Sequence, residues 1–278
     1  MEQNYAQRGY LHEDFRLFHL CGPMEESVDW HYHTFHKIIE FLGGESSYGV
    51  EGRRYLLRPG DLILVPQGCI HRPEAVPEAP YERRILYLSP EFLRRSGTAD
   101  CDLATCFDRA REEFRFVLRP GRQSPAAQLR LLEQAQREDA FGRELLARSL
   151  LFQFLIGLNR AMAGSLLPDA APSAYDEKIE AILRYLSAHL TEPLSIDDLA
   201  ARFFISTYPM MRQFRAQTGY TIHGYLTGKR LMRARALIAG GTPVLRASEQ
   251  SGFGDYSAFL RAYRKQFGAT PNQEKRTN

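Results

Sequence analysis

The chain has 278 residues, 44% of them hydrophobic and 25% charged, which is long enough for two compact units with separate cores. No apolar run approaches the ~18 residues a membrane span needs, and "MEQNYAQRGYLHEDF" lacks the apolar stretch of a signal peptide, so membrane and secreted classes are set aside and the expected location is the cytoplasm. The net charge of +3 is uneven: residues 1–174 carry 21 Lys and Arg against 24 Asp and Glu, whereas residues 199–278 carry 13 against 3. So basic a final third is the footprint of a surface that displaces counterions from a phosphate backbone, the alternative being a solvated basic face. Cys21, Cys69, Cys101 and Cys106 show no C-x-x-C spacing and read as reduced, space-filling thiols.

Up to about residue 118 the short runs "KIIEFL", "YGVEG", "RRYLL", "DLILVP" and "RRILYLS" alternate with turn residues, which predicts an antiparallel barrel or sandwich. Two strings here carry histidines: "HYHTFHK" supplies His31 and His33, and "GDLILVPQGCIH" ends on His71. From Ala126 the rhythm becomes helical, with Leu146, Leu150, Phe154 and Leu158 at four-residue steps. This stripe is wider than a lone surface helix needs, so it either pairs two subunits or packs on its own barrel. "AGSLLPDAAPSAY" reads as a linker, and beyond Tyr175 everything reads as helix.

The basic third contains a repeat. Shifting the sequence by 49 residues lays Ser206 on Asp255, Met210 on Phe259, Arg212 on Arg261, Phe214 on Tyr263, Arg215 on Arg264 and Gly219 on Gly268. Each copy starts at an N-cap residue and ends at a glycine, which predicts two helices of about 12 residues. Before the first stands "SIDDLAARF", with Ser195 as N-cap and Ile196, Leu199, Ala200 and Phe203 on one face; before the second, Val244, Ala247 and Ser248 are placed similarly. Helix, short turn, amphipathic helix is the helix-turn-helix plan. Residues 221–239 form a helix of roughly 28 Å between the copies. Such a strut suits two recognition helices about one turn of B-DNA apart, roughly 34 Å, both entering major grooves on one side of the duplex.

With these motifs, residues 175–278 resemble the DNA-binding domain of the AraC/XylS family, carried by "LSIDDLAARFFIS", "RQFRAQTG", "GYLTGKRLMRARALI" and "SGFGDYSAFLRAYRKQFGATP". The resemblance implies base-facing Tyr208, Met211 and Arg212 in the first unit and Ser257, Leu260 and Arg261 in the second, with Arg215 and Arg264 on the same exposed faces. Two departures stand out: Ala247-Ser248 replaces the family's Ile-Ala, and Pro209 lies in the first turn of the first recognition helix. Residues 12–90 are similar to the cupin-type sensor barrel that precedes many such domains. His31 and His33 match its first motif, and Gly60, Pro66, Gly68 and His71 its second. Metal cupins place a glutamate where this chain has Lys37 and Ile38, so no metal, cofactor or catalysis is expected. Either His31, His33 and His71 line a pocket for a small polar effector, with Lys37 as a further contact or merely a surface charge, or they are satisfied structural histidines.

The expected architecture is α+β multidomain, a cupin-like β-barrel with a helical dimerisation segment followed by an all-α domain with two helix-turn-helix units. The expected boundaries are 1–120 for the ligand-sensing barrel, 121–162 for the dimerisation helices, 163–174 for the linker and 175–278 for the DNA-binding domain. The resemblance implies a transcription regulator, commonly an activator, with double-stranded DNA, a small-molecule effector such as a sugar or sugar derivative, RNA polymerase and a second copy of itself as partners. The rivals are a cupin metalloenzyme fused to a DNA-binding module and a ligand-independent nucleoid-type binder.

Overall fold

The computed structural model describes residues 8–24, 28–76, 79–120, 124–164, 172 and 176–277. The amino-terminal half is built from strands β1 (Phe15–Leu20), β2 (His36–Gly44), β3 (Ser46–Val50), β4 (Arg53–Leu56), β5 (Leu62–Val65), β6 (His71–Ala75), β7 (Tyr81–Leu88) and β8 (Val117–Leu118). They form two antiparallel sheets, a five-stranded one ordered β1-β7-β2-β5-β8 and a three-stranded one ordered β4-β3-β6. The predicted runs fall on β2, β3, β4, β5 and β7. Sequence periodicity misses β6, whose Pro73 argues against a strand; β6 lies at a sheet edge, where a missing N–H is tolerated. It also misses β1, a half-buried edge strand.

Ile38, Leu62, Leu64, Leu86 and Leu88 from the larger sheet and Tyr48, Val50 and Tyr55 from the smaller are buried in one core. The helices α1 (Pro90–Ser96), α2 (Thr105–Glu112), α3 (Ala127–Arg137) and α4 (Arg143–Ala163) add to it. Helix α4 uses most of its apolar stripe on this core: Leu150, Phe154 and Leu158 are buried, whereas Leu146 at the head of the stripe is exposed. Most of the predicted linker, residues 165–171 and 173–174, lies outside the described residues.

The carboxy-terminal half is helical throughout: α5 (Glu177–Ala188), α6 (Ile196–Arg202), α7 (Thr207–Thr218), α8 (Ile222–Ala239), α9 (Val244–Gln250), α10 (Tyr256–Phe267) and α11 (Pro271–Thr277), the last unpredicted. Both repeat helices, α7 and α10, have the expected 12 residues and end at glycines in the left-handed region, Gly219 at φ 80° and Gly268 at φ 77°. Asp255 caps α10 by accepting from Ser257 N and Ala258 N. Ser206 makes no such bond on α7, a correction to the sequence reading with a local cause: the third helical position is Pro209, which has no N–H to offer a capping hydroxyl.

The hydrophobic packing does not divide at the linker. Ile179 and Leu183 of α5, Leu199 of α6, Phe214 of α7 and Tyr225 of α8 are continuous with the barrel core, while a second core closes around Leu231 and Ile238 of α8, Val244 and Ala247 of α9, and Phe259 and Tyr263 of α10. No helix among the described residues is long and apolar enough to cross a membrane.

Candidate functional site

Helices α6–α7 and α9–α10 place the two recognition faces. Met210, Phe214 and Thr218 anchor α7, and Phe259 and Tyr263 anchor α10, which turns the remaining faces outward by helical spacing. Tyr208, at 71% exposure, and Met211, Arg212 and Arg215 project from α7. Ser257, Arg261 and Arg264 project from α10, while Leu260 is half-buried against the second core, so it offers less surface than its partner positions. The guanidinium groups of Arg212, Arg215, Arg261 and Arg264 have no hydrogen-bond or ion-pair partner among the described residues. Four unengaged cations on two solvent-facing helices are what a polyanion meets with least rearrangement.

The barrel brings His31, His33 and His71 together and buries all three. An isolated antiparallel bridge joins His31 to His71, with His31 N donating to His71 O at 3.1 Å and His71 N to His31 O at 2.9 Å. The ring centroids stand 5.0 Å (31 to 33), 4.2 Å (31 to 71) and 4.8 Å (33 to 71) apart, so the imidazoles touch one another. Each Nδ1 faces a backbone carbonyl, those of Asp29 at 2.8 Å, Arg8, and Cys69 at 3.0 Å respectively. A carbonyl only accepts, so each Nδ1 carries the hydrogen and each Nε2 keeps a lone pair, that of His33 and of His71 buried with no hydrogen-bond partner among the described residues. Burial, reinforced by Lys37, pushes His31 down to about 4, His33 to about 2 and His71 well below the ordinary imidazole value, which keeps the rings neutral at neutral pH.

Lys37 is itself buried rather than on the surface, which settles one of the alternatives left open by the sequence. Desolvation and the nearby Arg83 push its ammonium down to about 7, and its Nζ lies 5.9 Å from the centroid of the Tyr87 ring. Glu40 is no stand-in for the missing glutamate: three residues along β2 it points to the other face and pairs with Arg84 at 2.9 Å.

A third region, where the helical half seats on the barrel, has no counterpart in the sequence reading. Glu51 and Gly52 form the two-residue turn between β3 and β4, both at positive φ (46° and 78°). The buried Glu51 carboxylate accepts from Ile70 N (2.8 Å), Tyr225 Oη (2.6 Å) and Lys229 Nζ (2.6 Å), and Lys229 also donates to Gly68 O at 3.0 Å. Tyr225 and Lys229 lie four residues apart on α8, hence on one face. Tyr220 Oη donates to Trp30 O at 2.7 Å, and Gln266 of α10 donates to Tyr32 Oη at 2.7 Å. A Cβ on Gly219 would stand 2.4 Å from the Trp30 ring, so the C-cap glycine of α7 is also what lets the indole lie against the helix end.

A sheet domain holding a buried polar cluster, followed by two helix-turn-helix units with free arginines, defines a ligand-binding, DNA-binding regulator. Residues 14–155 match the family model described as the AraC-like ligand binding domain, and residues 199–277 match one described as a helix-turn-helix domain. The chain belongs to the AraC family of transcription regulators. It is 26% identical over 249 residues to the HTH-type transcriptional activator RhaS of Escherichia fergusonii, covering 87% of this chain and 86% of the relative. It is 36% identical over 101 residues to the transcriptional regulator Rob of Salmonella typhimurium, where the match spans 36% of this chain but only 35% of that relative. Among solved structures, ToxT from Vibrio cholerae aligns over 99% of this chain and 96% of its own at 11% identity and a TM-score of 0.39. Both matched domains are those of regulators, which sets aside the fused metalloenzyme.

Proposed function

We propose that this protein is an effector-controlled activator of transcription that reads double-stranded DNA with α7 and α10 and contacts RNA polymerase from DNA. The observation that carries this reading is the pair of equivalent helices whose outward arginines, Arg212 and Arg261, engage nothing else among the described residues. Recovering fragments of source genomic DNA bound by the purified protein tests it: sharp enrichment of paired half-sites upstream of coding regions is expected, and uniform recovery of all fragments would sink it.

His31, His33, His71 and Lys37 are the proposed effector contacts, because they are the buried polar cluster of the ligand-binding domain and adjoin the seat of the helical half. Rings at 4.2–5.0 Å leave no room between them for a sugar. A sugar-sized effector has a second place, a polar cleft of about 480 Å³ lined by Glu40, Arg84, Ser124 and Arg130.

The helices α3 and α4 are proposed to pair two copies. Phe141, Leu145 and Leu146 are exposed, Leu145 by 74%, and Leu131 lies exposed on α3, an apolar set that the intramolecular core leaves over. Leu145→Asp with Leu146→Asp is expected to convert a dimer to a monomer by light scattering while leaving the fold intact; an unchanged mass would place the contact elsewhere.

A further inference from the structure

The turn of the first helix-turn-helix unit holds a residue that costs the fold something and gives it nothing in return. Phe204 has φ 51°, in the left-handed region, and its side chain is 91% exposed. A bulky residue at positive φ is a true conformational outlier, and such strain persists where function requires the residue. The ring of Phe204 makes no aromatic or cation contact among the described residues. The fold uses the preceding Phe203 instead, half-buried and edge-on to Tyr185 at 5.8 Å between ring centroids.

The second unit supplies an internal comparison, because α6 and α9 end with the same pair of backbone hydrogen bonds. Phe204 N donates to Ala201 O at 3.3 Å and Ile205 N to Ala200 O at 3.0 Å. Gly252 N donates to Glu249 O at 3.0 Å and Phe253 N to Ser248 O at 3.1 Å. This closure puts one residue in the left-handed region, ordinarily a glycine. The second unit has Gly252 there, at φ 86°, where the first has Phe204. The next residues, Ile205 and Phe253, pack against their respective cores, so each unit already has the apolar contact that accompanies such a closure. Folding therefore accounts for everything in this turn except the phenylalanine.

The position of Phe204 names its partner. It stands two residues before Ser206, the N-cap of α7, at the end of the recognition helix that meets base edges in the helix-turn-helix arrangement. Tyr208 and Met211 are exposed just beyond it, beside Arg212 and Arg215, whose guanidinium groups are unengaged among the described residues. An apolar edge flanked by free cations fits a surface that presents phosphates and methyl groups together, which is the major groove at thymine. An apolar protein surface would match the ring but bury the neighbouring arginines without a counter-charge.

We propose that Phe204 is a specificity-determining residue of the first unit, its ring packed on the C5 methyl group of a thymine at the edge of the sequence that α7 reads. The assignment rests on the DNA reading proposed above and adds a base contact from outside either recognition helix. Gly252 gives the second unit no counterpart, so this thymine preference belongs to one of the two grooves. Burial of a single methyl group sets its scale, about 4-fold in affinity.

The test compares the full-length protein with Phe204→Gly, first by thermal melting and then by binding to a duplex that the parent protein has selected from a randomised pool. The duplex is remade with uracil in place of each thymine in turn, which deletes one methyl group at a time. Phe204→Gly is expected to melt at or above the parent's midpoint, by up to about 2–4 °C, yet to bind the selected duplex about 4-fold more weakly. One uracil position should weaken the parent by about the same factor and leave Phe204→Gly unaffected. Phe204→Leu, which keeps an apolar side chain, should retain the preference for thymine at that position. A midpoint below the parent's would show that the fold does hold the ring and overturns the premise. Unchanged affinity, or a weaker variant that still responds to every uracil position as the parent does, overturns the thymine contact. Unchanged affinity with lost transcription by purified polymerase assigns the ring to a protein partner instead. A parent protein that selects no duplex from the pool overturns the DNA reading itself, an outcome distinct from failure of the variant alone.

Discussion

Glu51→Ala is expected to loosen the seat of the helical half on the barrel, by about 3–5 kcal/mol, the scale for removing one partner of a buried ion pair. The carboxylate is 3% exposed and joins three donors, so its removal leaves the Lys229 ammonium and the Tyr225 hydroxyl without their partner. Burial and the Glu51 charge hold the Tyr225 hydroxyl well above its ordinary value, so it stays a donor. The expected readouts are a larger radius of gyration by solution scattering, faster proteolysis between the halves, and a lower midpoint in the denaturation of the contact. Glu51 also sits at a positive φ where asparagine or glycine would be less strained. Glu51→Asn therefore separates the two roles. It relaxes the turn but is one methylene too short to reach α8, so it should loosen the contact nearly as much as alanine. If both variants stay as compact and as stable as the parent, the contact does not hold the halves together.

The location of such a contact explains what the sequence could and could not disclose. The strands β2, β5 and β7, the 12-residue recognition helices and their glycine caps are local patterns, read from runs of Val, Ile and Leu, from a 49-residue repeat and from two glycines. The histidine cluster was legible for a different reason: the H-x-H string and the P-x-G-x-x-H string resemble the two cupin motifs, and that resemblance implies that His31, His33 and His71 meet in the barrel. Lys37 misleads, because a lysine on a strand reads as surface, while β2 is central in its sheet and buries it. The Glu51 network was not legible at all. It joins residues 174 and 178 positions apart, and no periodicity marks a glutamate in a tight turn as a partner for a distant helix. The apolar stripe of α4 is legible, but which of its residues the protein's own core buries, Leu150, Phe154 and Leu158, and which it leaves exposed, Leu146, depends on how the stripe lies against that core. Leu260, chosen as a base-facing residue by its place in the repeat, turned out half-buried because α10 rolls toward the core that Val244 and Ala247 complete.

Arg212→Ala and Arg261→Ala should each weaken binding to a specific DNA site by about 1–3 kcal/mol, the value of one good bidentate contact to a base edge. The geometry supports that scale. Both side chains leave their helices one turn beyond the N-terminal end, both are exposed, and neither is held by a protein carboxylate that would have to be displaced first. The two substitutions lie on different recognition helices, expected in successive major grooves, so their effects should add within a few tenths of a kcal/mol, unlike residues that share a partner. Arg215 and Arg264, one turn further along the same faces, are expected to meet the phosphate backbone, so Arg215→Ala and Arg264→Ala should weaken all sequences alike and lower the salt dependence by about one ion each. Competition of a defined site against random DNA, repeated across a salt series, distinguishes the pairs. Equal loss on specific and random DNA for Arg212→Ala or Arg261→Ala would show that these guanidinium groups reach only phosphates. Sequence reading would then fall to the remaining side chains of the two faces, Tyr208 and Met211 on α7 and Ser257 on α10.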